Sequence, residues 1–269
     1  MEPRFAANRA NWDDRVAIHL ASDMYGVEGW LAGDRDPRPW EADAIGDVTG
    51  LDVVHLQCHF GLDSLSLAHV GANVTGVDFS RKAIAAATDL AQRAGLADRA
   101  RFVEANVMLV SEALGGATFD LVYVSLGALN WLPSVEQWAL QVAKLLRPGG
   151  RLFLHDSHPL SWALADDEVR VEHTYFEEEL PFVSDYEQTY TDGDTPIEHT
   201  RTYEWNHSVG EILNALLDRG LRIDRVTEHD WTAWPRYPWL VETGPQRWEI
   251  PPGRPRLPLS LTVLASHPG

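Results

Sequence analysis

Apolar and polar positions in this chain follow two rhythms from residue 51 onward. Short apolar runs rich in β-branched residues recur at VVHL (53–56), NVTGV (73–77), RFV (101–103), FDLVYV (119–124) and RLFL (151–154). Their length suits strands covered on both faces. Between them the apolar spacing changes to the helical period. The pattern predicts strand 52–57, helix 62–70, strand 73–78, helix 80–94, strand 101–105, a short helix near 108–114, strand 119–124, helix 134–146 and strand 150–155. Ser80 is placed to cap RKAIAAATDLAQRAG, and Pro148-Gly149-Gly150 stops the fourth helix before the fifth strand. Strands alternating with helices in this way predict a parallel α/β sheet.

The flanks follow other rules. Residues 8–24 read as an amphipathic helix with Trp12, Val16, Leu20 and Met24 near one face, and 25–50 as a loop-rich bridge carrying Tyr25, Trp30 and Trp40. Residues 160–205 have no helical period. VRVEHTYFEEEL, YEQTYT and IEHTRTYEW suggest short antiparallel strands in an insert over the sheet. A helix at 208–220 then leads into strand LRIDRVTEH, and SLTVLASH (260–267) is the last strand. The segment between those two strands is too rich in proline for a crossover helix, so they are expected to pair antiparallel. Three parts result: 1–50, a helix and cap; 51–159 with 206–269, the core; and 160–205, a β-rich lid.

Composition narrows the partners. The formal charge is −18 and the pI about 4.9, a field that repels a phosphate backbone or an anionic bilayer. Neither nucleic acid nor membrane is expected as a partner, and the expected ligand is a small molecule. Cys58 is the sole cysteine, so no internal disulfide can form. It is expected to be packed rather than nucleophilic. With no apolar signal core at the N-terminus, a cytoplasmic location is expected. His19, His173, His199 and the run Glu177-Glu178-Glu179 lack ligand spacing, and no metal is expected. Oligomeric state is left open.

The most informative stretch is LDVVHLQCHFGLDSLSLAHVGANVTGVDFS (51–80), a βαβ unit with Asp78 where its second strand ends. A carboxylate there can accept hydrogen bonds from ribose hydroxyls. It could also serve as a helix cap, although Ser80 is better placed for that. A nicotinamide dinucleotide would need a glycine-rich turn for its pyrophosphate. This turn is instead His59-Phe60-Gly61-Leu62-Asp63-Ser64. S-Adenosylmethionine has no phosphate and tolerates such side chains.

Taken in order, VVHLQCHFG, VTGVDFS, FVEANV, FDLVYVSLGALNWLP and LLRPGGRLFL resemble the class I S-adenosylmethionine-dependent methyltransferases, over about 51–157 and again over 208–267. The first motif departs from that family's D-x-G-x-G-x-G, with His55, Gln57 and His59 in place of acid, glycine and glycine; this is an LQCHFG variant. The resemblance implies a doubly wound, mostly parallel seven-stranded sheet with a reversed last strand, a Rossmann-like fold, and S-adenosylmethionine as cofactor. It implies that Gly61 lets the backbone approach the methionine portion, with Gln57 and His59 as polar neighbours. Asp78 would hold the ribose and Phe79 the adenine face. Asn106 and Val107 would meet the adenine edge, and Ser125 and Leu126 would border the sulfonium. Asn106 could equally be a helix cap.

The acceptor would sit beyond the fourth and fifth strands, near Tyr25, Asn130, Trp131 and His158. Asp156 lies beside them. His158 has the best chemistry for a base, with His207 a weaker candidate. Both can also be read as simple structural residues, and HDSHP as a polar turn. The insert's aromatic residues could enclose a small molecule or form the insert's own core. The expected activity is methyl transfer to oxygen or nitrogen of a small molecule. The alternative is a methyltransferase-like module that binds S-adenosylmethionine without catalysis.

Overall fold

A computed structural model describes residues 3–269. The chain begins with α1 (Pro3–Ala21), α2 (Val27–Ala32) and α3 (Pro39–Ile45). The alternating unit follows: β1 (Asp52–Leu56), α4 (Leu62–His69), β2 (Asn73–Asp78), α5 (Arg81–Arg93) and β3 (Ala100–Glu104). A 3-10 turn at Val107–Leu109 runs into α6 (Val110–Ala113), then come β4 (Phe119–Ser125), a second 3-10 turn at Leu129–Trp131, α7 (Val135–Leu145) and β5 (Leu146–Ser157). Beyond them lie α8 (Pro159–Trp162), the strands β6 (Phe182–Asp185) and β7 (Arg201–Glu204), α9 (Val209–Leu217) and β8 (Arg222–His229). Three short strands, β9 (Trp231–Thr232), β10 (Val241–Gly244) and β11 (Arg247–Glu249), precede β12 (Ser260–Ser266).

The main sheet has seven strands in the order β3-β2-β1-β4-β5-β12-β8. β12 runs antiparallel to both β5 and β8, and the remaining neighbours are parallel. This is the Rossmann-like methyltransferase fold with its reversed last strand. Both faces of the central strands are covered, which explains their continuous apolar runs. Val54, Leu56, Val122, Val124 and Leu154 pack with Trp138 of α7 and Leu216 of α9. Val53, Leu121, Tyr123 and Phe153 pack on the other face with Trp30, Phe60 and Leu65. Helix starts are set by local polar bonds. Ser80 accepts from the Ala83 amide, and Ser208 with Glu211 forms a reciprocal capping box. Among the described residues no helix is long and apolar enough to cross a membrane.

The flanks differ from expectation in three places. The bridge at 25–50 holds two short helices, α2 and α3; Pro39 opens α3 at a position that needs no amide donor and Gly46 ends it. The insert holds far less strand than expected. Only β6 and β7 form a two-stranded sheet, while VRVEHTYFEEEL contributes a single bridge between Leu164 and Val171. The proline-rich segment after β8 has no helix but does form a sheet, ordered β10-β11-β9.

Candidate active site

The carboxyl ends of β1, β2 and β4 open into a cavity of about 2440 Å³, roofed by α1, the insert and the segment around β9–β11. Its floor is the turn after β1. Gln57 and His59 stand where glycine is usual, yet both keep left-handed backbone, with φ of 57° and 50°. Such a conformation costs a non-glycine residue about 1–2 kcal/mol. Hydrogen bonds hold it: the Cys58 amide donates to the Val77 carbonyl, and the His59 amide donates to Asp78 Oδ2 at 2.9 Å. Gln57 Nε2 donates to the Ala128 carbonyl at 2.7 Å, so its carboxamide oxygen is buried with no partner. Gly61, at φ 78°, has a packing reason of its own. A Cβ there would lie 2.6 Å from the Phe102 ring, so glycine lets the turn close over β3. Its role in packing is visible, whatever the backbone also offers a ligand.

Asp78 is 7% exposed and lines the cavity. Its oxygens accept the His59 and Ser80 amides, which leaves lone pairs for further donors. Burial outweighs those two bonds and pushes its pKa up to about 6. Beside it Phe79 meets Phe5 of α1 edge-on, at 5.2 Å between centroids.

α1 buries a polar face, Asn8, Asn11, Arg15 and His19 together with Val16. Asp13 ties the helix to the sheet by accepting from Ser80 Oγ and from the Lys82 amide. His19 Nδ1 lies 2.9 Å from His59 Nε2, and His19 Nε2 lies 2.6 Å from Thr189 Oγ1. A chain of contacts thus joins the floor turn through α1 to the insert. Burial drives His19 down to about 2 and His59 to about 3, so both rings are neutral. Arg15 is the unusual member. It is 7% exposed and lies over the Trp12, Trp131 and Tyr190 rings at 5.0, 5.6 and 5.8 Å. Among the described residues no carboxylate lies within ion-pair range of it, and its Nε has no partner. Burial lowers its pKa, opposed by Tyr190, Glu204 and Tyr25. A buried guanidinium in this state is costly until an anion reaches it.

A second polar group lines the wall between α3 and β4. Arg38 binds Glu41 at 3.2 Å and Asp63 at 3.0 Å, and Tyr123 donates to Glu41 at 2.8 Å. Burial raises Glu41 to about 7 against the pull of Arg38. His55 is bonded to Ser64 and lowered to about 4, by burial first. Ser125 donates to Asp63.

The expected site residues divide as follows. Gln57, His59, Gly61, Asp78, Phe79, Val107, Ser125 and Leu126 all line the cavity, as do Tyr25, Asn130 and Trp131. Tyr25 shares a 2.6 Å hydroxyl contact with Tyr190. Asn130 donates to Glu204 at 2.8 Å, which leaves its own oxygen buried and unpartnered. Asn106 caps the 3-10 turn by accepting from the Met108 amide and does not line the cavity. His158 does not line it either. It is buried, its Nδ1 accepts from the Leu160 amide as the cap of α8, and its Nε2 meets Glu228 at 2.9 Å. Asp156 accepts the amides of Gly127, Ala128 and Leu129 and so shapes the turn after β4 from behind. His207 bridges Glu177 to the carbonyls of Leu129 and Leu132, so part of the glutamate run is anchored rather than solvated. The insert's rings do not form a core of their own: Phe176, Phe182 and Tyr186 are exposed, whereas Trp205 is buried. The sequence reading missed Arg15, Arg38, Glu41 and Glu204. A polar stripe of Asn8, Asn11, Arg15 and His19 at helical spacing was the available signal for the first of these.

Residues 54–154 match the family model described as "Methyltransferase domain". Among curated proteins, the ubiquinone biosynthesis O-methyltransferase of Rhizobium leguminosarum bv. trifolii is 34% identical over 120 residues, covering 45% of this chain and 44% of the relative. The match therefore spans less than half the length of that relative. Among solved structures, a Listeria monocytogenes protein assigned as an S-adenosylmethionine dependent methyltransferase superposes with a TM-score of 0.63 at 18% identity, covering 92% of this chain and 99% of that one. An S-adenosylmethionine dependent methyltransferase from Mesorhizobium loti gives 0.54 at 22% identity, with 88% and 99% covered. At these identities the likeness speaks for the fold.

Proposed function

We propose that this chain, a member of the class I S-adenosylmethionine-dependent methyltransferase family, transfers a methyl group from S-adenosylmethionine to an oxygen or nitrogen atom of a small-molecule acceptor. The observation that carries this reading is the presence, in one cavity, of the Asp78 carboxylate and the unpaired Arg15 guanidinium. Together they complement a ligand with a ribose diol in one part and a carboxylate in another. Asp78 would take the ribose hydroxyls on its free lone pairs, and Phe79, Ala105 and Val107 would border the adenine. The free oxygen of Gln57 would receive the ammonium group, and Arg15 the carboxylate. Ser125 and Leu126 would flank the sulfonium, with His59 packed beneath the methionine portion. A pyrophosphate at this turn would instead face Asp63 and two bulky side chains.

When bound, the cofactor supplies an electrophilic methyl group; the protein's task is alignment and exclusion of water. In this reading residues 1–50 cap the cofactor and 160–205 form a lid over the acceptor. Tyr25, Asn130 and Trp131 would contact the acceptor. His158 is not assigned as base, because its ring faces α8 and Glu228. His19 and His59 are held neutral and bonded to each other, so a protonated acceptor would lose its proton to a carboxylate or to solvent. The curated relative is named an O-methyltransferase, which favours oxygen. The competing reading, a module that binds S-adenosylmethionine without turnover, draws support from the substituted turn at Gln57 and His59.

Calorimetric titration of S-adenosylmethionine and S-adenosylhomocysteine into wild type and Asp78→Ala tests the assignment. Micromolar binding that is lost in the variant is expected. Equal binding in both proteins, or none in either, would end this reading. Binding with no turnover across acceptor classes would leave the module.

A further inference from the structure

Among the described residues, three arginines and no lysine line the cavity. Arg38 is ion-paired to Glu41 and Asp63. The other two, Arg15 and Arg236, have no carboxylate within ion-pair range among the described residues, although the chain carries 40 acidic residues against 22 basic ones. Many of those acids border the same space, including Asp166, Glu172, Glu178 and Glu187. In so negative a setting a guanidinium finds a carboxylate easily, unless its neighbours hold it away from one.

Arg236 is held in that way. Its guanidinium carbon stands 3.7 Å from the Trp162 ring centroid, 4.7 Å from Tyr237 and 5.9 Å from Trp234. The Tyr237 hydroxyl is fixed to the carbonyls of Ser161 and Leu164, which anchors this stack to the end of α8. Tyr237 also stacks on Trp239, 4.6 Å away and nearly parallel. Asp166, the acid of that corner, accepts from Tyr186 and makes no ion pair with Arg236. Arg236 Nε is buried with no hydrogen-bond partner. With its carbon over these rings, the guanidinium has its terminal N–H donors to offer the cavity, and such donors match a planar or tetrahedral oxyanion.

The inference rests on the proposed cofactor. S-Adenosylmethionine has one carboxylate, and Arg15 takes it. The second unpaired arginine then has no counterpart on the cofactor. We infer that Arg236, stacked between Trp162 and Tyr237, binds a carboxylate or phosphate group of the methyl acceptor, so that the substrate class is an anionic molecule with a ring or apolar body to lie along the tryptophans. With Arg15 occupied by the cofactor, the acidic border repels anions in general and leaves one place where an oxyanion is favoured, which gives selection as well as affinity.

The test uses the full chain saturated with S-adenosylhomocysteine, so that failure of cofactor binding is seen first and separately. Indole-3-acetate, phenyl phosphate and tryptamine are then titrated by calorimetry into wild type, Arg236→Gln and Arg236→Lys. At least one of the two anions should bind, and at least ten-fold more tightly than tryptamine. Arg236→Gln should weaken that anion ten-fold or more, Arg236→Lys should restore part of the loss, and S-adenosylhomocysteine affinity should stay within two-fold. The stronger of the two anions identifies the group. Tryptamine binding as well as the anions, no binding by either anion, or an affinity indifferent to Arg236→Gln would overturn the inference.

Discussion

The two ends of the cavity are built in opposite ways. At the deep end, Asp78 receives backbone amides from the floor turn and from the start of α5, and that turn is itself bonded to the end of β2 and to the Ala128 carbonyl in the turn after β4. Little can move without breaking sheet-anchored bonds. At the outer end, Trp162, Arg236 and Tyr186 come from the end of α8 and from irregular segments, positioned by ring stacking and a few side-chain bonds; Phe182 is 47% exposed and Tyr186 54%. On the proposed reading, the difference teaches where each half of a two-ligand site can vary. A constant ligand is met by groups whose positions follow from the sheet. A variable one is met by side chains that can be exchanged without disturbing it.

Substitutions on either side of this divide should behave differently, and the largest effect is expected deepest. Asp78→Ala should weaken S-adenosylhomocysteine more than a hundred-fold by calorimetry, since a buried carboxylate bonded to hydroxyls is lost and two amides lose their acceptor. Comparable cofactor affinity in the variant would erase the contrast. Arg15→Met comes next. A charge-assisted hydrogen bond is worth about 1.5–3 kcal/mol, so affinity should fall on the order of 10- to 100-fold. Binding of 5′-methylthioadenosine, which lacks the amino-acid end, should be nearly unchanged in the same variant. A parallel loss for both ligands would assign Arg15 to folding instead.

Stability gives a third, smaller effect. Asp78 holds its proton to about pH 6 in the folded chain against an ordinary value of 3.8. The folded state therefore binds more protons between these values, and the resulting stabilisation is present below pH 3.8 and lost as pH rises through about 6. Ligand-free Asp78→Asn should melt a few degrees above wild type at pH 8, and that gap should close toward pH 4, as read by calorimetric scans. The smallest effect belongs to the outer end. Phe182→Ala should lower the melting temperature only slightly and leave S-adenosylhomocysteine affinity unchanged within error, because nearly half of the residue is already exposed.

Legibility in the sequence follows the same divide. The strands of the main sheet could be read because both their faces are buried, and the reversed β12 because prolines forbade a crossover helix. Asp78, Phe79 and the 57–61 turn were found because chain order fixes where strand ends meet. α1 was misjudged in character: of the four apolar residues expected on one face only Val16 is buried, Trp12 and Leu20 are partly buried and Met24 lies beyond the helix end, while Asn8, Asn11 and Arg15 are buried. Hydrophobic spacing is informative when a helix lies on a core, and misleading when it lies on a cavity and a hairpin. His158 had suitable chemistry and an unsuitable direction, since a proline at the first helical position turned its ring into a cap. Arg236 sat in a segment whose prolines concealed a small sheet.

Asn8 of α1 is bonded directly to β7. Its side chain donates to the Tyr203 carbonyl and accepts from the Tyr203 amide, as a neighbouring strand would, while Asn11 donates to the carbonyl of His199. Asp14 accepts the amides of Glu198 and His199. α1 and the hairpin are thereby riveted into one body, and that body roofs the cavity proposed to hold both ligands. Whatever lifts α1 to let a spent cofactor out also dismantles the acceptor's enclosure. Turnover should accordingly run in sequence, cofactor first in and last out, with the demethylated product competing against fresh cofactor in steady-state inhibition patterns.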